Sequence, residues 1–503
     1  MGSEMCIRDR RVCLRFGACD HWTRVFVNGQ EVGQHRGGYA PFAFDIDHVV
    51  GSGTNTIVVR VEDSLSWTQP RGKQAGTTRW PIDYDSVTGI WQTVWLESLP
   101  PVSIESTLSV FGVDSGELVL TALFSKQVEG ELTVELLLAG VLVDRKQVNT
   151  GLRSEARVSF QLDEPLLWSP DSPILYDVKL TLLDIRTGSV DEATSYIGLR
   201  EVEVRDGFLL LNGEKLFLRG ILDQGYFPGG WYTALSDADL RRDVELTLQM
   251  GFNCARKHQK AEDPRYLYWA DKLGLLVWAE MPSGKIFSTE LVQTLVSEWT
   301  DLVKRDRAHP CVIAWVPFNE SWGVWHQSSR PQQRAFVDGV VGITRAMDAS
   351  RPVVGNDGWE FSSGDLWTLH LYFEGKSLNQ RLNELIKSPQ SSVAEGNGMG
   401  SRVGALPGAN VEGLPILLTE CGGVGYGRFS ESDFSYGDLP ETEVLLQEAI
   451  QEIAKMIRAA PKLQGFVWTQ LTDVQQEVNG LLYFDRTPKL PIETLHEIIS
   501  SIG

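Results

Sequence analysis

The fold of this chain is indicated most clearly by the stretch VIAWVPFNESWG, residues 312–323. An apolar run begins at Val312 and ends abruptly in an amide and a carboxylate, Asn319 and Glu320. Such a run is typical of a buried parallel strand. Polar residues at its carboxyl end lie where a strand-to-helix loop opens, and in an α/β barrel this is the face that carries the active site.

A second run of this kind, PILLTECGG at residues 415–423, contains Glu420 at its polar end. One such glutamate alone is equally well explained as a helix cap or a solvated loop charge. Two of them at strand ends of one barrel are the groups needed to cleave a glycosidic bond. One donates a proton to the leaving oxygen, and the other attacks or activates water. Together, Glu320 and Glu420 predict catalysis.

From residue 206 onward the pattern alternates between apolar strands and amphipathic helices. The predicted strands are residues 216–221, 253–258, 275–280, 312–318, 352–355, 366–371, 416–419 and 465–469. The predicted helices include residues 237–250, 291–307, 334–347 and 441–459. This period predicts a (β/α)₈ barrel. The alternative is an open doubly wound sheet, but no Gly-rich phosphate-binding turn follows the first strand. Three hydrolase signatures are absent as well: Ser-x-x-Lys, Gly-x-Ser-x-Gly and His-Glu-x-x-His.

The chain before the barrel is predicted to be all-β. Short alternating runs bounded by turn residues fill residues 11–100 and again residues 101–205, which suggests two sandwiches. Asn28-Gly29 is a strong hairpin signal between two of these runs. The predicted domains are therefore residues 11–100, 101–205 and 206–503, preceded by an atypical stretch, residues 1–10.

The atypical first ten residues carry no apolar core of a signal peptide. The folded pattern starts in the middle of an element at Arg11. We therefore expect further strands of the first domain to precede Arg11 in the native protein. The sheet edge that their loss exposes is expected to promote aggregation. An export signal would also lie in that missing part.

Composition excludes several classes of partner. The net charge of −20 and the isoelectric point of about 4.9 argue against nucleic acid and against an anionic membrane surface. No apolar run reaches membrane-spanning length. The six cysteines lack zinc-site spacing and a disulfide pattern, which favours a reducing compartment such as the cytoplasm. The sixteen tryptophans suit sugar rings as well as a core.

These residues resemble glycoside hydrolase family 2, the family of β-galactosidases, β-glucuronidases and β-mannosidases. The resemblance covers nearly the whole chain after Arg11 and rests on the glutamate motifs and on four further stretches: FVNG (26–29), HRGGYAPF (35–42), GIWQ (89–92) and LWSP (167–170). It implies a jelly-roll sugar-binding domain, here partial, at residues 11–100. It also implies an immunoglobulin-like sandwich at residues 101–205 and a catalytic barrel at residues 206–503.

The resemblance also implies roles for site residues. Glu320 on strand four is the acid/base, and Glu420 on strand seven is the nucleophile. Asn319 binds the sugar 2-hydroxyl, a contact that strengthens in the transition state. Arg256, at the end of strand two, orients the nucleophile and keeps it ionised. His258 shares a face with Arg256, but the sequence around it departs from the family pattern, so only Arg256 is carried over.

Other candidate sugar-binding residues have alternatives that stay open. His370 and Tyr372 share one face of strand six and border the sugar subsite by the resemblance. The alternative for His370 is a buried core histidine. Trp468 matches the aromatic floor under the sugar, or belongs to the barrel core. Asp223 and Gln224 follow strand one, where they either hold sugar hydroxyls or form a solvated loop.

Two departures bear on the substrate. β-Glucuronidases read the sugar carboxylate with an Asn-x-Lys near strand eight, and the equivalent stretch EVNG, residues 477–480, contains no lysine. Glu477 would repel a uronate if it faced the pocket. The extra ligands that hold magnesium in the larger β-galactosidases are not found either. We therefore expect neither a required metal nor a cofactor.

The sequence thus predicts a retaining exo-β-glycosidase that acts on a glycoside or oligosaccharide, with β-galactose as the first candidate sugar. Other family activities are alternatives: β-mannosidase, β-glucuronidase and arabinosidase. A carbohydrate-binding protein with an inactive barrel is an alternative from a different class. Linkage, compartment and any homo-oligomer are left open.

Overall fold

The structure, a computed structural model, describes residues 10–372, 378–394, 401–427, 433–437 and 439–503. The chain forms two compact units. One comprises residues 10–63, 88–201 and 304–310, and the other comprises residues 64–87, 202–303 and 311–503. Residues 1–9 of the predicted atypical stretch lie outside the described residues. Within the described part of the chain, no helix is both long enough and apolar enough to cross a membrane.

The first β domain belongs to the first unit. Its strands are β1 (Arg11–Phe16), β2 (Cys19–Asp20), β3 (Trp22–Val27), β4 (Gln30–Arg36), β5 (Phe42–Asp45), β6 (Ile57–Glu62), β7 (Gly89–Ile90) and β8 (Val94–Leu99). They pair into the antiparallel sheets β5-β1-β8, β4-β3-β6 and β2-β7. The predicted hairpin is confirmed between β3 and β4, because Asn28 (φ 50°) and Gly29 (φ 83°) both take the left-handed conformation that such a turn requires.

The second β domain is a sandwich of two antiparallel sheets, β13-β10-β9 and β12-β11-β16-β17. Its strands are β9 (Ile104–Gly112), β10 (Glu117–Val128), β11 (Gly130–Leu138), β12 (Val141–Asn149), β13 (Arg153–Gln161), β14 (Trp168–Ser169), β15 (Ser172–Pro173), β16 (Tyr176–Asp184) and β17 (Val190–Ile197). Alternate residues of β16 are buried, which is the pattern of a strand with one face in a core. The two sheets share one apolar cluster that includes Leu120, Leu132 and Phe160.

The barrel belongs to the second unit and follows a small sheet of β18 (Val202–Arg205), β19 (Phe208–Leu211) and β20 (Glu214–Lys215). Its strands are β21 (Leu218–Asp223), β22 (Cys254–Lys257), β23 (Leu276–Glu280), β24 (Val312–Val316), β25 (Trp367–His370), β28 (Ile416–Gly422) and β29 (Leu463–Thr469). They form one parallel sheet in the order β24-β23-β22-β21-β29-β28-β25. A separate antiparallel pair consists of β26 (Ser392–Ala394) and β27 (Arg402–Val403).

The barrel helices are α1 (Asp237–Gln249), α2 (Pro264–Leu273), α3 (Thr289–Asp306), α4 (Pro331–Met347), α5 (Leu378–Lys387), α6 (Glu443–Arg458) and α7 (Ile492–Ser500). Local chemistry sets several of their ends. Ser236 and Asp239 form a reciprocal capping box at the start of α1. Gly274, at φ 84°, ends α2 in the left-handed conformation. The predicted helices all form, with ends that differ by at most three residues.

The predicted fifth barrel strand, residues 352–355, is the one correction to the strand assignment. Val353 makes only an isolated parallel bridge to Trp315, and Asp357 makes another to Asn319. The Val353 N–H donates to the Asp365 side chain (2.8 Å) rather than to a neighbouring strand, which interrupts a regular ladder. An irregular segment therefore fills the position between β24 and β25, and the architecture is the predicted (β/α)₈ barrel.

Candidate active site

The two predicted catalytic glutamates meet at the carboxyl ends of the barrel strands. Glu420 lies near the end of β28, and Glu320 lies four residues after β24. One carboxylate oxygen of each lies within 4.8 Å of the other. Their surroundings differ, because the side chain of Glu420 is 7% exposed and that of Glu320 is 17% exposed. The site thus contains one buried carboxylate beside one that is more open to solvent.

A left-handed turn aims Glu320 into the site. Glu320 (φ 51°) and Ser321 (φ 60°) both occupy a region that L-residues enter at a cost of about 1 kcal/mol or more. Three backbone donors hold the turn. The Glu320 N–H donates to the Asp357 carbonyl (2.9 Å), the Ser321 N–H to Asn356 Oδ1 (2.9 Å), and the Trp322 N–H to the Asn319 carbonyl (2.9 Å).

Arg256 is the central cation of the site. Its side chain is fully buried at the end of β22. Nε donates to Glu280 (2.7 Å), and Nη2 donates to Asn319 Oδ1 (2.7 Å). Nη1 lies 2.7 Å from Asp357 Oδ2 and 3.2 Å from Glu420 Oε1. The predicted contact between Arg256 and Glu420 is therefore present in the structure.

His370 and Asp357 form a second charged layer. His370 Nδ1 is 2.8 Å from Glu320 Oε1, and Nε2 is 2.9 Å from Asp357 Oδ2. Thr419 Oγ1 donates to the other Asp357 oxygen (2.9 Å). Burial by itself raises the pKa of Asp357, but Arg256 and His370 outweigh it and hold that pKa well below its usual range. Both ring nitrogens of His370 are thus engaged by carboxylates.

Tyr372 completes the surroundings of Glu420. Its hydroxyl donates to Glu420 Oε2 (2.7 Å) and lies 3.2 Å from Thr469 Oγ1. Its ring stacks on Tyr436, with ring centroids 4.5 Å apart. Burial raises the pKa of Glu420, but His370 and Arg256 overcome this effect, so that the pKa lies below its ordinary value. Glu420 is therefore a carboxylate at neutral pH, as a nucleophile must be.

Asn319 and Trp468 differ in whether the side chain has a group available to bind a ligand. Asn319 Oδ1 is held by Arg256, whereas its amide nitrogen donates to no residue in the described part of the chain. Trp468 ends β29 and is fully buried in the barrel's apolar cluster. Gly422 packs so closely on this indole that an added Cβ would come within 2.6 Å of a ring carbon. This burial favours the barrel-core alternative for Trp468.

Asp223 and Gln224 are not in a solvated loop, because both are buried. Asp223 Oδ2 accepts from Lys257 Nζ (2.7 Å). Gln224 Nε2 donates to Gln470 Oε1 (2.7 Å). Asp223 therefore supports the barrel through an ion pair, and Gln224 is linked to a residue that directly follows β29.

A segment of the chain that precedes the barrel by more than 100 residues belongs to the same compact unit as the barrel. Residues 64–87 pack with the barrel. Lys73 Nζ lies 3.2 Å from Glu477 Oε1, and the Tyr84 hydroxyl donates to Glu477 Oε2 (2.6 Å). Tyr436, which stacks on Tyr372, lies 3.4 Å from the same carboxylate through its hydroxyl. Glu477 is fully buried, and its charge is compensated by Lys73 and Tyr84.

The same segment brings aromatic rings beside the loop that follows Glu320. Trp80 packs edge-on against Trp322, with ring centroids 5.8 Å apart. The Lys285 ammonium lies 4.3 Å from the Trp80 ring centroid and 5.1 Å from that of Trp322. Asp83 is its ion-pair partner. Lys285 is thus held by aromatic faces and one carboxylate.

The three groups Glu320, His370 and Glu420 offer ligand atoms within 4.8 Å of one another, a spacing that a metal could use. The donor set does not favour a resident metal, however, because His370 Nδ1 and Nε2 lie 2.8 and 2.9 Å from carboxylates that raise its pKa and favour the imidazolium. A protonated imidazole has no lone pair for a metal. The prediction that no metal is required stays a prediction.

Sequence reasoning missed Asp357 and the partners of Glu477. The signal for Asp357 was present, because Asn356-Asp357 follows predicted strand five as Asn319-Glu320 follows strand four. Glu280 likewise ends predicted strand three. By contrast, Lys73 and Tyr84 carry no local signal. Their contacts span 404 and 393 sequence positions.

Three family models match the chain. The model described as "Glycosyl hydrolases family 2, sugar binding domain" matches residues 3–100, "Glycosyl hydrolases family 2" matches residues 114–200, and "Glycosyl hydrolases family 2, TIM barrel domain" matches residues 202–393. The chain belongs to glycoside hydrolase family 2. The predicted family is thereby confirmed.

Individual relatives within family 2 are distant. A β-galactosidase of Thermoanaerobacter pseudethanolicus is 30% identical over 375 residues, which are 69% of this chain and 46% of that protein. A β-galactosidase of Pseudoalteromonas haloplanktis is 25% identical over 92% of this chain and 44% of that protein. The chain thus spans less than half the length of these curated relatives.

Solved structures support the family 2 architecture. A β-D-glucuronidase from Dictyoglomus thermophilum superimposes with a TM-score of 0.79 at 20% identity, covering 99% of this chain and 88% of that one. A β-galacturonidase from Eisenbergiella tayi gives a TM-score of 0.77 at 20% identity, covering 98% and 87%. At these identities the likeness shows the fold alone.

Proposed function

We propose that this chain is a retaining exo-β-glycosidase, with β-galactosides as its best substrates. The observation that carries the proposal is the pair of oxygens of Glu320 and Glu420 within 4.8 Å of each other. Retaining glycosidases hold their two carboxyl groups about 5–5.5 Å apart, whereas inverting ones leave roughly 6.5–9.5 Å for a water. Relatives named β-galactosidase support the choice of sugar, whereas others named putative β-glucuronidase make a uronide the alternative.

The two carboxylates have different roles in this mechanism. Glu420 attacks the anomeric carbon, since Arg256 and Tyr372 orient it and it is ionised at neutral pH. Glu320 donates a proton to the leaving oxygen and then takes one from the water that releases the sugar. The free amide nitrogen of Asn319 is available to the sugar 2-hydroxyl.

Exo action has structural support on one side of the site. The Lys73–Glu477 ion pair and Tyr84 are buried next to Tyr436, the neighbour of Tyr372. These packed, buried side chains beside Tyr372 support an exo mode of action. We therefore propose that the enzyme removes single terminal sugars.

A panel of nitrophenyl β-glycosides tests this proposal. We expect the galactoside to be hydrolysed fastest and proton NMR to show the β-anomer as the first product released. The matched control is the double variant Glu320→Gln, Glu420→Gln, which keeps size and polarity. Release of the α-anomer would contradict the retaining mechanism. Binding without turnover of any glycoside would support a carbohydrate-binding protein instead.

Uronides are expected to be poor substrates. The ammonium of Lys73 is already engaged by Glu477, and that of Lys285 by Asp83. Desolvating a sugar carboxylate without a cationic partner costs several kcal/mol, so we expect kcat/KM for a β-glucuronide to be roughly 100-fold below that for the galactoside. The expected repulsion of a uronate by Glu477 does not apply, because Glu477 is buried and paired with Lys73.

Glu477→Gln sharpens the uronide test, because it leaves Lys73 without its carboxylate. A charge-assisted hydrogen bond contributes about 1.5–3 kcal/mol, so we expect the glucuronide-to-galactoside ratio of kcat/KM to rise about tenfold or more. Adding Lys73→Met should remove that gain. Efficient glucuronide turnover by the unaltered chain would refute the prediction.

A further inference from the structure

We propose that His370 is a positioning residue that serves both catalytic glutamates with one N–H group. In this view it stabilises the negative charge as that charge moves from Glu420 to Glu320. The inference rests on the proposed function and adds to it a residue that acts through the two carboxylates, without touching the sugar itself.

The geometry of Nδ1 carries the inference. This atom lies 2.8 Å from Glu320 Oε1 and 3.5 Å from Glu420 Oε1. The shorter distance is a hydrogen bond, and the longer one is close enough for direct charge stabilisation. The Oε2 atom of Glu320 has no hydrogen-bond partner in the described part of the chain, which leaves that oxygen to carry the catalytic proton.

The ring cannot easily turn away from this position. Its Nε2 is fixed 2.9 Å from Asp357 Oδ2, and Asp357 is itself held by Thr419 and Arg256. The side chain of His370 is only 1% exposed, and Trp359 packs edge-on against the ring with centroids 5.7 Å apart. Water therefore does not compete for the ring nitrogens.

The charges around the ring favour the imidazolium. Burial by itself lowers the pKa of His370, but the carboxylates of Glu420 and Asp357 raise it to about 10. The charged groups facing the ring are Glu320 from the loop after β24, Glu420 from β28, Asp357 from the irregular fifth segment and Arg256 from β22, whose Nη1 is 3.3 Å from Nε2.

The reaction explains why a shared donor is useful. In the first step a carboxylate oxygen of Glu420 bonds to the anomeric carbon, the bond from that carbon to the leaving oxygen breaks, and the leaving oxygen takes the proton of Glu320. Glu420 becomes a neutral ester, and Glu320 becomes a carboxylate. One negative charge has thus moved from Glu420 to Glu320. His370 Nδ1 faces both carboxylates, so it lies beside this charge before and after the step. The second step returns the charge to Glu420.

The variant His370→Asn tests the inference, because asparagine keeps a neutral donor near the Nδ1 position and removes the charge. We expect kcat/KM at the optimum to fall roughly 100-fold, because the neutral amide stabilises the moving negative charge less than a preorganised cation does. The acidic limb of its pH profile, set by Glu420, should move to higher pH, because Glu420 loses the nearby cation that lowers its pKa. A purely structural role would lower the rate and leave that limb in place.

The matched control is His35→Asn. His35 is a half-buried histidine in the first β domain, and partial burial lowers its pKa to about 4, so it is neutral. We expect its pH profile to match that of the unaltered chain. An unshifted acidic limb in His370→Asn, with activity in the unaltered chain, would overturn the role of His370 and leave the proposed function intact.

Nitrogen NMR of histidine-labelled protein gives a readout that does not require turnover or a folded variant. We expect His370 to keep protons on both ring nitrogens from pH 5 to about 9, below its raised pKa, in the resting protein. The same state should persist after trapping with a 2-deoxy-2-fluoro-β-galactoside. A ring with one N–H in either state would overturn the inference. Failure of the trap to label Glu420 would instead refute the proposed function.

Discussion

Glu420→Ala is expected to abolish glycosyl transfer to the enzyme with every leaving group, because it removes the attacking atom. Glu320→Ala removes only proton transfer. An aryl glycoside with a good leaving group should therefore still form the glycosyl-enzyme, whereas a substrate with a poor leaving group should slow by roughly 10²–10⁴-fold. Mass spectrometry of Glu320→Ala should find the sugar on Glu420. Glu448→Ala, which changes an exposed glutamate of α6, serves as the control.

Added azide separates the roles of the two glutamates further. In Glu420→Ala, azide attacks from the side that the nucleophile has vacated and gives the α-glycosyl azide, with inversion. In Glu320→Ala, azide attacks the glycosyl-enzyme from the opposite side and gives the β-glycosyl azide, with net retention. If Glu420→Ala gave the β-azide and Glu320→Ala gave the α-azide, the roles of the two glutamates would be wrongly assigned. A sugar label on a residue other than Glu420 would lead to the same conclusion.

Arg256→Met is expected to remove activity and to destabilise the barrel. Arg256 is the shared partner of Glu280, Asp357 and Glu420, all of them buried. Removing one partner of a buried ion pair costs about 3–5 kcal/mol, because the remaining charges lose their compensation. Burial lowers the pKa of Arg256, but Asp357, Glu280 and Glu420 outweigh it and raise that pKa, so the pairs hold throughout the physiological range.

Scanning calorimetry measures the effect of Arg256→Met, with the barrel transition resolved from the β domains because the chain has more than one unit. The control is Arg458→Met, at an exposed position in the last turn of α6 whose hydrogen bond goes to Ser501. That control should stay within about 0.5 kcal/mol of the unaltered chain. Equal unfolding temperatures for the two variants would show that Arg256 is not the compensating cation.

Sequence reasoning reached the barrel and its candidate catalytic pair because both depend on local patterns. A strand buried on both faces must be apolar throughout, so the polar residues that end it are conspicuous. Glu320 and Glu420 were found in this way, whereas Arg256 and Tyr372 were identified from the resemblance to the family. The fifth strand was misassigned because the Asp365 side chain takes the backbone donor of Val353, a contact that no periodicity records.

The sequence by itself determined the order of the β domains and the (β/α)₈ barrel and singled out the two candidate carboxylates, since hydrophobic period and strand ends are local properties of the chain. Only the tertiary structure decided the electrostatics of the site. Asp357 lies 13 positions before His370, and Lys73 lies 404 positions before Glu477. Which charges neutralise one another depends on distances of a few ångströms between residues that folding alone brings together.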